Sequence, residues 1–179
     1  MNFTELEAAH FEEIVQLFEA TFTASEGVEE GKVIGDLSRN LINETASDDL
    51  FVFGATENSS LEGCIIFTRL TYAGSKKNVF VMGPVAVASN AQRQGIGQKL
   101  IECGLKQLQA AGIDVAVTYG DPGYYTKSGF VLVSEDQLPA PYNLQYPEGW
   151  LAQSLTKEPL PHLDGPCQCV KAYQSPQYW

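Results

Sequence analysis

The feature that most limits the possible folds is an apolar run that passes through a glycine-containing turn into an amphipathic helix. Residues 78–87 are mostly apolar and β-branched, which predicts a buried central strand. The turn reads Gln92-Arg-Gln-Gly-Ile-Gly97, and residues 95–112 then repeat apolar side chains at helical spacing. A strand followed by such a helix predicts a mixed α/β protein, in which the helix packs on a sheet.

Hydrophobic periodicity predicts further elements on both sides of this unit. Two amphipathic helices are expected at 8–22 and 28–42, separated by a turn at Ser25-Glu26-Gly27. One helical turn is expected around Tyr125. Strands are expected at 1–5, 50–57, 61–71, 115–118, 129–133 and 167–173.

Length and composition narrow the class of protein. A chain of 179 residues is one domain's worth, and 44% apolar with 18% charged residues is typical of a globular protein. No apolar run approaches the roughly 20 residues that span a bilayer. The first thirty residues carry Glu5, Glu12 and Glu13 where a secretory signal would need basic and then apolar residues. We therefore expect one domain over 1–179, in the cytoplasm, with no membrane partner.

Charge is distributed unevenly along the chain. Residues 1–62 hold 14 of the 22 acidic residues and carry a net charge of -12, whereas residues 63–179 carry +1. Such a field repels nucleic acid and favours a cationic partner, although a solvated acidic surface would look the same. The four cysteines are expected to be reduced, and Cys167-x-Cys169 lacks the second ligand pair of a structural zinc site, so no metal is expected.

The two glycines of the turn indicate an anion site at the start of the helix. Gly95 and Gly97 allow a tight turn and a close approach of backbone to ligand, and the first N–H groups of a helix have no partners within it. The helix dipole and the Arg93 side chain favour a pyrophosphate there. A turn that binds nothing is the alternative.

Other phosphate-binding motifs fit less well. A dinucleotide fingerprint needs a third glycine where this chain has Leu100, and Asp114 begins the next predicted strand where the ribose-binding acid should end it. A Walker loop needs Gly-Lys-Ser/Thr, which does not occur in the sequence. A dinucleotide-dependent oxidoreductase is therefore the weakest alternative.

A second motif, Tyr125-Thr-Lys-Ser-Gly129-Phe130, follows the first. The two motifs in this order resemble the GNAT superfamily of N-acetyltransferases, and the order of predicted elements matches that family over residues 1–133. Asp121-Pro-Gly-Tyr-Tyr further resembles its bacterial YhbS-like branch. The resemblance implies the GNAT acyl-CoA N-acyltransferase fold, an α/β protein of the α+β type. Its mixed central sheet would have about six to seven strands, with splayed central strands and flanking helices.

The resemblance also implies acetyl-CoA as co-substrate and assigns the positions that would hold it. Backbone N–H groups of the loop 92–98 would bind the pyrophosphate, and the strand near Val87 would pair with the pantetheine amides. The expected cofactor contacts are Val85, Ala86, Val87, Gln92, Arg93, Gln94, Gly95, Ile96, Gly97 and Gln98. Pro84 independently favours a slot beside this strand, because it lacks a donor and lets a neighbouring strand splay away; it could also be a simple irregularity.

The implied reaction is direct attack of a neutral primary amine on the thioester, and the catalytic residues expected are Val85, Tyr125 and Glu26. The Val85 N–H would stabilise the oxyanion, a contribution of about 3 kcal/mol for one well-placed donor. Tyr125 would protonate the departing thiolate, since a phenol is neutral at pH 7 and can donate to sulfur. Tyr125 could instead be a packing aromatic beside Tyr124.

The general base is left open by the residues. Val81 stands where histone-type members of the family carry a carboxylate, four residues before Val85. Four acidic residues are expected near the acceptor side, namely Glu26, Glu29, Glu30 and Asp121. Each of them could be a base that acts through water or only a solvated carboxylate. His10 and His162 lie outside the elements of the predicted site.

The acceptor is expected to be a cationic small-molecule amine or a protein amino group, and a homodimer is compatible with the sequence. We divide the domain into a core over 1–133, an acceptor-side segment over 134–166 and the last strand at 167–173. Residues 139–166 hold six of the nine prolines and are expected to cover part of the acceptor pocket. The alternative is a non-catalytic acyl-CoA-binding sensor or protein-interaction module, for which the missing carboxylate at Val81 would be expected.

Overall fold

A computed structural model describes residues 1–6 and 10–179. Within these residues eight strands form one sheet in the order β1-β2-β3-β4-β5-β7-β6, with β8 also paired to β3. The strands are β1 Asn2–Glu5, β2 Leu50–Glu57, β3 Ser60–Tyr72, β4 Val79–Val87, β5 Val115–Tyr119, β6 Val131–Leu132, β7 Trp150–Ser154 and β8 Cys167–Cys169. The helices are α1 Phe11–Glu26, α2 Val28–Glu44, α3 Ile96–Ala110 and α4 Pro122–Tyr125.

The centre of the sheet contains a parallel pair. β4 and β5 run parallel from Val79↔Val115 to Met82↔Thr118, and α3 makes the crossover between them. The other strand pairs in the described residues are antiparallel. The sheet is therefore mixed, as the sequence predicts.

Helices cover both faces of the sheet because alternate side chains of each strand point to opposite sides. Ile66 of β3 packs in one core with Phe18 of α1 and Leu41 of α2. Its neighbour Phe67 packs in the other core with Leu100 of α3. One core thus lies between the sheet and the helices α1 and α2, and the other lies between the sheet and α3. The central strands are therefore held between two helical layers.

The first half of the predicted element pattern is confirmed, with shifted ends. α1 continues through Glu26, so the predicted turn at 25–27 is reduced to Gly27, whose φ of 103° ends one helix and precedes the next. A positive φ of this kind favours glycine. The first two residues of the predicted helix at 8–22, residues 8 and 9, lie outside the described part of the chain.

The second half differs more. β7 lies in the proline-rich stretch 139–166, where no strand is predicted, and it pairs with β5 through Val117↔Ala152 and with β6 through Val131↔Ala152. It adds the eighth strand to the six or seven expected. The predicted strand at 167–173 stops at Cys169, because residues 171–173 form a 3-10 turn, and the strand predicted at 129–133 shrinks to two residues.

Candidate active site

The sheet opens where β4 outlasts β5. The last parallel pair is Met82↔Thr118, and the Thr118 hydroxyl donates to the Met82 carbonyl at 3.1 Å. On the other side of β4, β3 pairs Phe67 with Met82 and Ile65 with Val85, so Gly83 and Pro84 together face Ile66 as a bulge. Proline has no N–H to offer to a ladder, which fits its position at this irregularity. The segment 85–87 therefore stays paired with β3, and its other edge is open because the pairing with β5 has ended.

A cradle of backbone N–H groups lies beyond this edge, at the start of α3. Gly95 caps the helix with φ 76°, and the first bond of the helical pattern runs from the Lys99 N–H to the Gly95 carbonyl at 3.1 Å. The N–H groups of residues 96–98 come before that bond and face out of the helix end. Arg93 also has a left-handed backbone, with φ 62°, and turns the chain into the helix.

A cavity of about 540 Å³ joins the open strand edge to this cradle. We call it the cradle cavity. Its cations are Arg93 and Lys127, which suit an anionic ligand. Nine of the ten expected cofactor contacts line it, namely Val85, Ala86, Val87, Gln92, Arg93, Gly95, Ile96, Gly97 and Gln98.

The tenth expected contact, Gln94, is not brought to the cavity. Its side-chain amide donates to the Asn90 carbonyl at 3.4 Å instead, within the loop. The Gln92 amide donates to the Val87 carbonyl at 3.0 Å and so fastens the loop to the end of β4. The side chains of Gln92 and Gln94 thus hold the conformation of the loop. The sequence alone did not show that Gln92 lines the cavity and Gln94 does not.

A second cavity of about 540 Å³ lies on the other side of the bulge. We call it the distal cavity. It carries the carboxylates Glu26, Glu30 and Asp121, and no lysine or arginine is found among its described lining residues. The residues common to both cavities are Phe22, Glu26, Val85, Tyr124 and Tyr125. The three residues predicted to be catalytic from the sequence therefore lie together at the junction of the two cavities.

Tyr125 is half-buried at this junction. Its ring meets Phe130 edge-on at 6.1 Å between centroids and lies across Gly120, where a Cβ would come within 2.8 Å of the ring. Burial raises the pKa of Tyr125 to about 12, with the Thr118 hydroxyl acting in the opposite direction. The phenol therefore stays protonated well above neutral pH. It packs as an aromatic ring against Phe130 and also lines both cavities, so its role as an acid stays a prediction.

Tyr124 is a site residue that the sequence motif did not single out. Its ring meets that of Tyr125 at 5.2 Å and an angle of 82°, and burial raises its pKa. Its hydroxyl lies over Gly97, at the place where a Cβ on residue 97 would stand. Gly97 has no positive φ, so its small size serves this contact. The sequence signal that could have indicated this residue is the pair of adjacent tyrosines, Tyr124 and Tyr125.

The candidate bases divide by position. Glu26 ends α1 at the junction, and Glu30 lies in the first turn of α2. Asp121 accepts from the Gly123 N–H at 2.8 Å as the cap of α4, which occupies one of its oxygens. Glu29 lines neither cavity. His10, at the start of α1, and the exposed His162 also lie outside both cavities.

The proline-rich segment 139–166 does not line the distal cavity. Tyr173, Gln177, Tyr178 and Trp179 do, and they form a stretch that we call the aromatic wall. The segment 139–166 packs against that wall: the Trp150 ring meets the Trp179 ring at 6.1 Å. Among the described lining residues, the chain that follows β8 therefore replaces the segment expected there, and a role of 139–166 at an acceptor pocket stays a prediction.

Among the helices of the described residues, none combines the length and the apolar character that a membrane span needs. No group of three or more His, Cys, Asp or Glu in residues 1–6 and 10–179 is arranged to hold a metal ion.

A parallel pair that parts beside a helix N-terminus, within this order of elements, is the mixed α/β architecture that the sequence resemblance implies. The chain belongs to the GNAT acetyltransferases: residues 2–133 match the family model described as the acetyltransferase (GNAT) domain. It is thus an enzyme of the N-acetyltransferase class, and the family expected from the sequence is confirmed.

Individual relatives agree with this assignment. The chain is 30% identical over 140 residues to the uncharacterized N-acetyltransferase YjhQ of Escherichia coli, covering 75% of this chain and 77% of that protein. The solved structure of YhbS from Escherichia coli in complex with CoA matches with a TM-score of 0.80 at 22% identity, over 97% of this chain and 92% of that one. A GNAT acetyltransferase from Brucella melitensis in complex with acetyl-CoA matches with a TM-score of 0.71 at 27% identity, over 97% of both chains.

Proposed function

We propose that this enzyme transfers the acetyl group of acetyl-CoA to a primary amine by direct attack. One observation carries the proposal: a cavity with cations and a cavity with carboxylates meet at Val85, Tyr125 and Glu26. Such a junction lets an anionic donor and a cationic acceptor approach each other from opposite sides.

The cradle cavity is the proposed cofactor half. Its helix N-terminus and Arg93 offer N–H groups and positive charge to a pyrophosphate. The open edge of residues 85–87 offers backbone groups to the amides of the pantetheine arm, as a neighbouring strand would. Relatives solved with CoA or acetyl-CoA support the same ligand here.

The chemical step uses the junction. The amine nitrogen attacks the thioester carbon, and its carbonyl oxygen becomes an oxyanion that accepts a hydrogen bond from the Val85 N–H. Collapse of this intermediate breaks the bond between carbon and sulfur. The nitrogen, which carries an extra proton after the attack, releases it as the amide forms, and a proton from solvent restores the Tyr125 phenol. Tyr125 gives its proton to the leaving thiolate, and its raised pKa, about 12, keeps that proton available at neutral pH.

The acceptor arrives as an ammonium and must lose a proton before it attacks. Glu26 is the proposed base, acting through water, because it is the carboxylate that lines both cavities. Val81, which replaces the carboxylate of histone-type members, is buried and lines the distal cavity without a proton-accepting group. The three carboxylates of the distal cavity favour a cationic acceptor.

A titration and a turnover assay test the proposal together. Calorimetry with acetyl-CoA should show binding to the wild-type chain, and thiol release should then appear with at least one amine of a broad panel. Binding without release on any amine would favour the non-catalytic sensor. Absence of binding would remove the proposal altogether. The cytoplasmic location and the homodimer remain predictions, tested by cell fractionation and by light scattering.

A further inference from the structure

We infer that the acceptor is a small primary amine carried on an aromatic ring, and that the C-terminal residues Tyr173, Tyr178 and Trp179 select it. The inference rests on the proposed function and adds the substrate class. It follows from three properties of the distal cavity: its aromatic wall, its further apolar lining and the source of its carboxylates.

The aromatic wall is held rigidly. The Trp179 indole N–H donates to the Tyr173 carbonyl at 3.0 Å, and both side chains are buried. The rings of Tyr173 and Tyr178 meet edge-on at 5.8 Å, and those of Tyr173 and Trp179 at 5.6 Å. Trp150 supports Trp179 from behind. An apolar surface that is already fixed binds a flat group with little loss of side-chain freedom.

The rest of the lining is largely apolar as well. Phe22 of α1, Ile34 and Leu37 of α2, and Met82 and Pro84 of β4 also line the cavity. A ligand body held against apolar side chains gains by losing contact with water, and aromatic rings also gain from edge and face contacts. A hydrated polyamine or sugar chain would leave its polar groups without partners along these side chains.

The charged side chains of the cavity come from α1, α2 and the cap of α4. Glu26 ends α1 at the junction, Glu30 lies in the first turn of α2, and Asp121 caps the helix that carries Tyr125. The segment 173–179 contributes no carboxylate side chain to the lining. The ammonium of an acceptor would therefore pair with these carboxylates, and the rest of the molecule would lie against the aromatic wall. A polycation would need a carboxylate for each of its charges, and the side chains of the aromatic wall supply none.

A panel of four amines on the full chain tests this inference. Thiol release with acetyl-CoA is measured for 2-phenylethylamine, butylamine, spermidine and a blocked lysine peptide. We expect kcat/KM for 2-phenylethylamine to exceed that for each of the others about tenfold or more, the size of one good aromatic contact. Equal or better turnover of butylamine, spermidine or the peptide would overturn the inference and leave the proposed function standing. Lack of acetyl-CoA binding would remove both.

Variants of Tyr178 then ask whether the wall selects the ring. Tyr178→Ala should raise KM for 2-phenylethylamine about tenfold with KM for acetyl-CoA unchanged, because Tyr178 lines only the distal cavity. Tyr178→Phe should stay close to wild type. Tyr146→Ala is the matched control, since the Tyr146 side chain is exposed and lines neither cavity. Unchanged KM for the amine in folded Tyr178→Ala would refute the role of the wall, and the wild-type panel decides the substrate class even if that variant fails to fold.

Discussion

Replacing Gly97 by alanine would test how firmly Tyr124 is held over the first turn of α3. A Cβ on residue 97 would overlap the Tyr124 hydroxyl oxygen. The same Cβ would stand 3.4 Å from Cγ2 of Val87 and 3.5 Å from Cζ of Tyr124, which are ordinary contacts. The hydroxyl oxygen alone therefore makes alanine unfavourable here.

Two effects of opposite sign set the free energy of unfolding of this variant. Alanine in place of glycine stabilises a helix by up to about 1 kcal/mol. Forcing an atom into filled space costs about 1–3 kcal/mol. Tyr124 cannot swing aside without losing its edge contact with Tyr125. We expect Gly97→Ala to lower the free energy of unfolding by about 1–2 kcal/mol, the overpacking cost less the gain in helix propensity.

The Tyr124→Phe background isolates the cause, because it removes the oxygen and leaves the ring. There, Gly97→Ala should be neutral or slightly stabilising, so the double-mutant cycle should give a coupling of about 2 kcal/mol. Urea unfolding of the four proteins measures this coupling. A coupling below about 0.5 kcal/mol would refute the reasoning, since additivity is the rule for independent sites. Gly97 would then serve ligand approach alone, and alanine would weaken acetyl-CoA binding in both backgrounds.

Three further outcomes are expected. Tyr125→Phe should lower kcat at least tenfold with little change in the acetyl-CoA dissociation constant. The control Tyr142→Phe, outside both cavities, should match wild type. Unchanged turnover of Tyr125→Phe would show that Tyr125 is not the acid. The pKa of Tyr125 is raised to about 12, so the acid stays protonated below that pH and kcat should show no falling limb from it between pH 7 and 10; a limb in that range that Tyr125→Phe abolishes would contradict this. Arg93→Gly should be about 1 kcal/mol more stable to urea than Arg93→Ala, because φ is 62°, while both bind acetyl-CoA more weakly by calorimetry; wild-type affinity in both would exclude the charge from cofactor binding.

The parts of the fold that were predictable share a local signal. Helical spacing of apolar residues predicted α2 and α3, and a β-branched run predicted β4. These patterns are visible in the sequence because each element buries one face or both faces. The cradle was predictable for a related reason. Its backbone groups are positioned by two glycines and a helix start, which the sequence displays directly.

The parts that were missed depend on where distant segments meet. Strand β7 follows Pro147 and Gly149, which are residues typical of a turn, so the local sequence did not predict a strand there. The strand forms because it pairs with β5. The wall made by Tyr178 and Trp179 arises because the chain returns to the bulge of β4 after β8, and no spacing within the segment announces that return. The contact of Tyr124 with Gly97 likewise joins two motifs that the sequence keeps apart.

The bulge at Gly83 and Pro84 has a consequence for the survival of the protein in a cell. Beyond it, one side of residues 85–87 forms a short interior rim without a strand beside it, the kind of surface to which foreign chains can attach. A pantetheine arm lying there would shield the rim and add ligand-linked stability that grows with the logarithm of its concentration. Resistance of the enzyme to proteolysis would then rise with the concentration of acetyl-CoA.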